Sequence, residues 1–355
     1  MKIWIDILTP KQANFLGVLA TRLERKGHAI LITTRRYREV NQLLDFRKIK
    51  AVIVGRYGGD SLVDKLLFSA WRVEKLSRLI AKNEPDIAIS FSSPEAARVS
   101  YGLGIPHYCV SDSPHAEAVC RLTIPLSKKL FTPRIIPKKA WMPFGISSNN
   151  IVQYDALDPI AWIREFKPFD TVVRELGLET EKPIITIRLE EAFASYLLGK
   201  TSDTKPLALQ IVGELLRKKL NLQIIALARY GRQSSVLKQK FGKKIIVPRE
   251  VVDGLSLLSQ TSVFIGGGGT MTAEAALMGI PSISYFPSDS TYVEKYLIEQ
   301  SLLERLRNPR EIADRVSAIL KDTEYMERKN EKAQILVSKM EDPLNVMMRE
   351  LQEIQ

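Results

Sequence analysis

The sequence predicts an α/β protein made of two doubly wound, parallel-sheet domains. Short apolar runs alternate with helical patterns from one end of the chain to the other. These runs are continuously hydrophobic, as strands covered by helices on both faces are, and do not alternate as half-solvated strands do. A length of 355 residues suits two cores, because single domains mostly hold about 100–200 residues. With 45% hydrophobic and 26% charged residues, the composition is that of an ordinary globular chain, which excludes the disordered and fibrous classes.

The first strand covers residues 3–7. An amphipathic helix over 13–26 follows, with Phe15, Leu16, Leu19 and Leu23 at helical spacing and Gly27 as its stop. Further strands fall at 29–33, 51–54, 86–91 and 107–110, with a long helix over 62–81. Prolines, glycines and aromatics then gather irregularly between 141 and 180, which marks a boundary; Trp141 and Tyr196 read as core or hinge aromatics. Strands resume at 184–187, 223–227, 245–247, 262–265 and 282–285, with helices such as 207–220 and 272–278 between them. The tail from Arg310 is helical and charged. The expected organisation is a lobe over 1–155, a linker over 156–180, a second lobe over 181–325 and closing helices over 326–355. A weak echo joins the lobes: Pro94-Glu95-Ala96-Ala97 leads to Gly104-Ile105-Pro106, and Ala273-Glu274-Ala275-Ala276 leads to Gly279-Ile280-Pro281.

Charge separates the two halves. The whole chain carries +12, yet residues 1–155 hold 24 Lys and Arg against 13 Asp and Glu, whereas the remainder holds 28 against 27. The basic half points to an anionic partner, such as a phosphorylated substrate, a membrane surface or nucleic acid; a solvated basic surface is the plain alternative. Cys109 and Cys120, with His28, His107 and His115, make no local zinc spacing, so neither a metal nor a resident cofactor is expected. The first residues read as a strand and not as a signal-peptide core, and no run approaches the ~20 apolar residues of a membrane helix. A reducing, cytoplasmic setting is expected, with peripheral contact at the inner membrane face left open by the basic half.

The sharpest local signal is Val263-Phe264-Ile265-Gly266-Gly267-Gly268-Gly269-Thr270-Met271-Thr272-Ala273-Glu274. A buried strand runs through four glycines into a helix. Backbone without Cβ atoms admits a ligand closely, and unpaired N–H groups with a partial positive charge at the helix start favour phosphate. Thr270 is the natural N-cap, and its hydroxyl or that of Thr272 supplies a donor. No lysine completes a Walker loop, and Met271 stands where a dinucleotide fingerprint needs glycine. Glu274, one turn into the helix, is placed either to accept hydrogen bonds from ribose hydroxyls or simply to meet the helix dipole.

Residues 267–281, Gly-Gly-Gly-Thr-Met-Thr-Ala-Glu-Ala-Ala-Leu-Met-Gly-Ile-Pro, resemble the donor segment of GT-B fold proteins, notably the peptidoglycan N-acetylglucosaminyltransferase and the non-hydrolysing sugar-nucleotide 2-epimerases. The whole chain resembles the largely archaeal domain of unknown function family 354. That likeness runs through Ile5-Asp6-Ile7-Leu8-Thr9-Pro10-Lys11-Gln12, Ser93-Pro94-Glu95-Ala96-Ala97, Ser111-Asp112-Ser113-Pro114-His115-Ala116, Arg188 with Glu190, and the glycine run. It implies two Rossmann-like lobes facing across a cleft, with C-terminal helices crossing back to the first. It also implies a nucleotide diphosphate-sugar, UDP-sugars being favoured, bound by Arg188, Glu190, Gly267, Gly268, Gly269, Thr270, Thr272 and Glu274. The glycine-rich turn that many GT-B transferases carry after the first strand is here Leu8-Thr9-Pro10-Lys11-Gln12-Ala13-Asn14.

Open α/β sheets bind ligands at the carboxyl ends of their strands. In the first lobe those ends lead into loops at 9–14, 55–60, 92–95 and 111–115. Lys11, Gln12, Asn14, Ser93 and Glu95 are the candidate acceptor contacts, although Lys11 also fits a solvated side chain and Ser93 a helix cap. Asp112 and His115 are the candidate general bases, set against an Asx turn before Pro114 and an ordinary helix-start residue; Glu117 competes for either role. Three functions follow. The first is a glycosyltransferase with an anionic or lipid-phosphate-linked acceptor, a scheme that needs no metal and agrees with the absence of an Asp-x-Asp motif. The second is a sugar-nucleotide 2-epimerase. The third is a non-catalytic binder of phosphate ligands or nucleic acid; nucleic acid is disfavoured because one tyrosine alone interleaves with Arg35-Arg36-Tyr37-Arg38.

Overall fold

The computed structural model describes residues 1–59, 61–168, 171–191 and 206–352; Asp60 and Tyr196 lie outside them. The chain forms two compact units, Met1–Trp162 with Glu341–Gln355, and Ile163–Met340.

The first unit holds, among the described residues, a seven-stranded sheet: β1 (Lys2–Ile7), β2 (Ala29–Arg36), β3 (Val52–Arg56), β4 (Ile87–Ser90), β5 (His107–Val110), β6 (Lys129–Pro133) and β7 (Ile151–Tyr154). Every pairing is parallel, in the order β3-β2-β1-β4-β5-β6-β7. β1 lies centrally, and its Ile3, Trp4, Ile5 and Ile7 are fully buried, as continuous hydrophobicity requires. The Pro10–Arg25 helix starts where Thr9 caps Gln12 N–H and Pro10 presets the first turn; its Ala13, Phe15, Leu16, Leu19 and Leu23 face the sheet. Trp141 is fully buried in a satellite cluster with Cys109, Cys120 and Leu130.

The second unit holds, among the described residues, a five-stranded parallel sheet, β8 (Ile184–Arg188), β9 (Gln223–Leu227), β10 (Val263–Gly266), β11 (Ser282–Ser284) and β12 (Leu303–Arg305), in the order β12-β11-β10-β8-β9. The Ala208–Arg217 and Pro309–Ile319 helices cover it with Ile211, Val212, Leu215, Ile312 and Val316.

Several elements differ from expectation. Residues 245–247 contribute a single bridge, Ile246 to Ile225, and not a full strand. β6, β7 and β12 were not expected, because each mixes charged or amide side chains into three to five residues and shows no apolar run. The terminal segment also differs. The Thr323–Lys339 helix stays with the second unit, and only residues from Glu341 belong to the first. There Glu341 N–H donates to Asp155 O, Arg22 pairs with Asp342 at 2.7 Å, and Leu344, Met347 and Leu351 of the Pro343–Gln352 helix are buried.

The apolar core of the first unit contains a charge. Asp6 of β1 is fully buried and accepts from Arg72 Nη1 and Nη2 (3.0 and 2.6 Å), Thr33 Oγ1 (2.6 Å) and Ser93 Oγ (2.6 Å). Burial raises its proton affinity, but Arg72 and the hydroxyls more than offset this and hold its carboxyl below the ordinary range. Arg72 also donates Nε to Val54 O at 2.8 Å, tying the Leu62–Asn83 helix to β3. Arg72→Met leaves Asp6 buried and uncompensated, so urea unfolding should show a loss of about 3–5 kcal/mol. Adding Asp6→Asn to that variant should restore part of the loss, because no lone buried charge then remains.

Candidate functional site

Each sheet reverses its strand order once, between β1 and β4 and between β8 and β10. Helices leaving adjacent strands diverge at such a point and open a crevice beyond the strands' carboxyl ends. Both groups of candidate residues lie near the strand ends beside these two reversals.

In the second unit, Gly266 pairs in register with Arg188, and Gly267 N–H continues onto Arg188 O at 2.9 Å. A Cβ at Gly267 would lie 2.7 Å from the backbone of Glu190, and one at Gly268 would overlap the Phe286 ring. Gly266 and Gly267 are buried, Gly268 is half-buried and Gly269 is exposed. The first three glycines therefore answer to packing, and the exposed residue of the run is Gly269. Gly269, at φ +95° and ψ −176°, is the N-cap of the Thr270–Leu277 helix. Thr270 is instead the first helical residue, because the cap conformation is one that only glycine adopts without strain. The Thr272 hydroxyl is turned inward against Gly266, buried and without a hydrogen-bond partner, which removes it as a donor to a ligand. Glu274 is 6% exposed on the following turn.

Glu190 is a staple. Its carboxylate accepts Leu207 N–H at 2.5 Å and Tyr285 O–H at 2.9 Å, its carbonyl accepts Gln233 Nε2 at 3.0 Å, and it is only 3% exposed. Internal donors thus occupy the carboxylate for which a nucleotide-sugar contact is expected. Burial, reinforced by Glu190, pushes the Tyr285 phenol well above its usual range. Arg188 keeps a half-buried guanidinium that donates to Ala228 O at 3.3 Å. The sequence reading missed Arg229. It donates Nε to Leu189 O at 2.9 Å and Nη2 to Gly268 O at 3.2 Å, so its guanidinium straddles the loops leaving β8 and β10 beside Gly269. Its position two residues past β9, like that of Arg188 at the end of β8, was the available signal.

In the first unit, Lys11 is the hub. Its ammonium lies 2.5 Å from Asp112 and 2.6 Å from Asp158, and 4.5 Å from the centre of the Phe91 ring. Burial lowers its proton affinity, but the two aspartates reverse the direction and hold it charged. Lys11 is thus committed to an internal double ion pair and is neither a solvated side chain nor a free acceptor contact. Asp112 also accepts Ser113 Oγ at 2.8 Å; burial works against its ionised form, and Lys11 overcomes this to keep its carboxyl low. Asp158, which the sequence reading did not single out, goes the other way: burial, with Asp112 nearby, raises it to about 6, and Tyr154 O–H donates to it. Burial lowers the His115 imidazole, and Lys11 adds to that while Asp112 opposes it. Two carboxyls on one lysine therefore have opposite proton preferences.

The remaining acceptor candidates are mostly occupied internally. Gln12 donates to Phe91 O at 2.9 Å and accepts Leu8 N–H at 2.6 Å, using its amide to hold the ends of β1 and β4 together. Ser93 is fully buried, donates a hydrogen bond from its hydroxyl to Asp6 and caps the Pro94–Gly102 helix by accepting from Ala96 N–H. Glu95 is 6% exposed and lies 3.8 Å from Arg72. Gln12 and Ser93 are thus committed to internal hydrogen bonds, and Glu95 stands beside the Asp6–Arg72 pair. Asn14 stays half-buried, with its side-chain oxygen unpartnered. Among the described residues, no group of three or more His, Cys, Asp and Glu side chains could hold a metal ion.

Over residues 1–355 the chain matches the model of the family described as protein of unknown function DUF354. The chain belongs to that family. An uncharacterised protein of Methanocaldococcus jannaschii is 30% identical to this DUF354 chain over 321 residues, covering 89% of it and 91% of the relative. Among solved structures, the UDP-GlcNAc 2-epimerase from Neisseria meningitidis bound to UDP-GlcNAc superposes with a TM-score of 0.75 at 16% identity, over 99% of this chain and 100% of that one. The UDP-GlcNAc 2-epimerase from Methanocaldococcus jannaschii, in complex with UDP-GlcNAc and UDP, gives 0.70 at 17% identity, over 95% and 98%. A spinosyn forosaminyltransferase gives 0.64 at 14% identity, over 100% and 99%. The DUF354 chain therefore has a GT-B-like fold of two Rossmann-like units.

Two outcomes follow from the geometry. Gly267→Ala should cost about 1–3 kcal/mol in urea unfolding, because the new methyl group must displace the Glu190 backbone. Asp158 binds its proton more tightly in the folded protein (about 6) than its ordinary 3.8. Its stabilising contribution is therefore full at acid pH and lost as pH rises through about 6. The melting temperature of the natural protein minus that of Asp158→Asn should fall across this window and level off above it.

Proposed function

We propose that this DUF354 protein is a glycosyltransferase that binds a nucleotide diphosphate-sugar, UDP-sugars being favoured, at residues 268–270 of its second unit. The observation that carries the reading is the glycine-capped, exposed helix start with Arg188 and Arg229 on neighbouring strand ends. Backbone amides and the helix dipole would meet the diphosphate, and the two guanidinium groups would offset the charge that grows as the sugar leaves. Glu274 would accept hydrogen bonds from the ribose. In the first unit, Asp112 is held ionised by Lys11 and suits the general base that takes the proton from an acceptor hydroxyl; His115, its proton affinity lowered, is the second candidate. The acceptor oxygen would attack the anomeric carbon while the bond to the diphosphate breaks. The basic first unit suits an anionic or lipid-phosphate-linked acceptor, with Asn14 as its remaining contact.

A second reading, sugar-nucleotide 2-epimerisation, is favoured by the raised proton affinity of Asp158 beside Asp112, whose affinity is lowered, since epimerisation needs an acid and a base. It is also supported by the higher similarity scores of the epimerase structures.

Thermal unfolding with UDP, GDP and ADP tests both readings. A nucleotide at a hundredfold its Kd should add about 2.7 kcal/mol of stability. Glu274→Gln should weaken binding about tenfold, as expected for loss of a charge-assisted hydrogen bond. Stabilisation by none of the three nucleotides would sink both readings. Release of free UDP only on addition of an acceptor would select transfer; a changed sugar epimer without UDP release would select epimerisation.

A further inference from the structure

Most large apolar side chains left exposed by the first unit gather in one region. Val52 and Ile53 stand out from β3, the edge strand of the sheet, and Leu62, Val63, Leu66, Leu67 and Trp71 from the helix that follows; Leu66 is 70% exposed. On the Leu62–Asn83 helix, residues 63, 66, 67, 70 and 71 fall at i, i+3, i+4, i+7 and i+8, a single stripe about two turns long. The opposite stripe, Arg72, Leu76 and Ile80, is buried. The helix thus has two apolar faces, and only one is used by the core. The end of β3 meets the exposed first turns of the helix, where the Arg56 guanidinium lies 4.0 Å from the centre of the Phe68 ring.

The rim of this surface is basic. Arg36 and Arg56 are register partners at the ends of β2 and β3, Lys48 and Lys50 precede β3, and Lys75 follows the apolar stripe; all five are exposed. The helix exposes two acids, Asp64 in its first turn and Glu74, the latter paired with Lys75 and Arg78. An exposed apolar patch of this size marks a binding surface. Leucines around a tryptophan, flanked by lysine and arginine, have the chemistry of an interfacial membrane contact: apolar side chains enter the headgroup–acyl boundary and cations meet anionic headgroups. A second copy of the chain fits less well, because a twofold contact would set identical basic rims against each other.

We infer that the surface built from β3 and the first turns of the Leu62–Asn83 helix docks this protein on an anionic lipid bilayer. The nucleotide reading is not needed for this, and a protein that binds no UDP would still dock.

The test is co-sedimentation of the full chain with vesicles of phosphatidylcholine, with and without phosphatidylglycerol, alongside light-scattering mass in the absence of lipid. The natural protein should sediment with the anionic vesicles, less so in high salt, and weakly with neutral ones. Leu66→Asp with Leu67→Asp should cut binding about tenfold or more with an unchanged melting temperature, since both side chains are exposed. Lys48→Gln with Lys50→Gln should remove the preference for anionic lipid while keeping the apolar face. The inference is overturned if the natural protein stays in the supernatant, or if the leucine variant binds as well as the natural chain. A solution mass of two chains that falls to one in the leucine variant would also overturn it and make the face a contact between copies.

Discussion

A methyl group does not fit at Gly267, and the proposed nucleotide end of the molecule is organised around that fact. The close approach of its backbone to Glu190 brings the exits of β8 and β10 together. Glu190 is in turn fixed by Leu207, Tyr285 and Gln233, so the loop holding Arg188 and the start of the Thr270–Leu277 helix belong to one rigid constellation. Preorganisation of this kind is what a charge-stabilising site needs, because donors already in place cost no reorganisation when charge develops. It also divides the glycine run: Gly266, Gly267 and Gly268 pack against Thr272, Glu190 and Phe286, and the exposed end is Gly269.

At its own strand reversal the first unit uses buried charge where the second uses absent side chains. Asp6 with Arg72, and Lys11 with Asp112 and Asp158, place ionised groups where solvation is poor. Such groups persist only because each is paired and hydrogen-bonded. The two clusters differ in one respect. Asp6 and Arg72 are matched one to one and fully enclosed. Lys11 faces two carboxylates, and burial with Asp112 nearby raises one of them, Asp158, to about 6. The first arrangement fixes geometry, and the second leaves a proton that can be gained or lost.

The alternation of apolar strands and helices made the fold class legible, and strands at β1, β5, β8 and β9 follow directly from continuous apolar runs. β6, β7 and β12 were hidden because a short strand flanked by lysines, amides or acids has too little hydrophobic signal to stand out from a loop. The glycine run was legible as a special backbone, but which glycines serve packing depended on Glu190 and Phe286, both distant in sequence. Thr270 read as a cap because hydroxyl residues usually hold that position; the left-handed cap conformation that displaces it to Gly269 leaves no trace in composition. Lys11 and Asp112 were visible as strand-end residues. Asp158 was not, because it lies in a proline-containing loop that showed no period, and only the tertiary fold brings it to Lys11.

The chain leaves the first unit after Trp162 and returns at Glu341, where Glu341 and Asp342 join Asp155 and Arg22 and the last helix buries Leu344 and Met347. The second unit is therefore an insertion within the first. During synthesis, which runs from the N-terminus, the inserted unit is the one whose residues are contiguous and can close its core while the ribosome is still adding sequence. The first unit has its whole sheet by Tyr154 but waits for the Pro343–Gln352 helix until the second unit has been made, with the surface under that helix uncovered in the meantime.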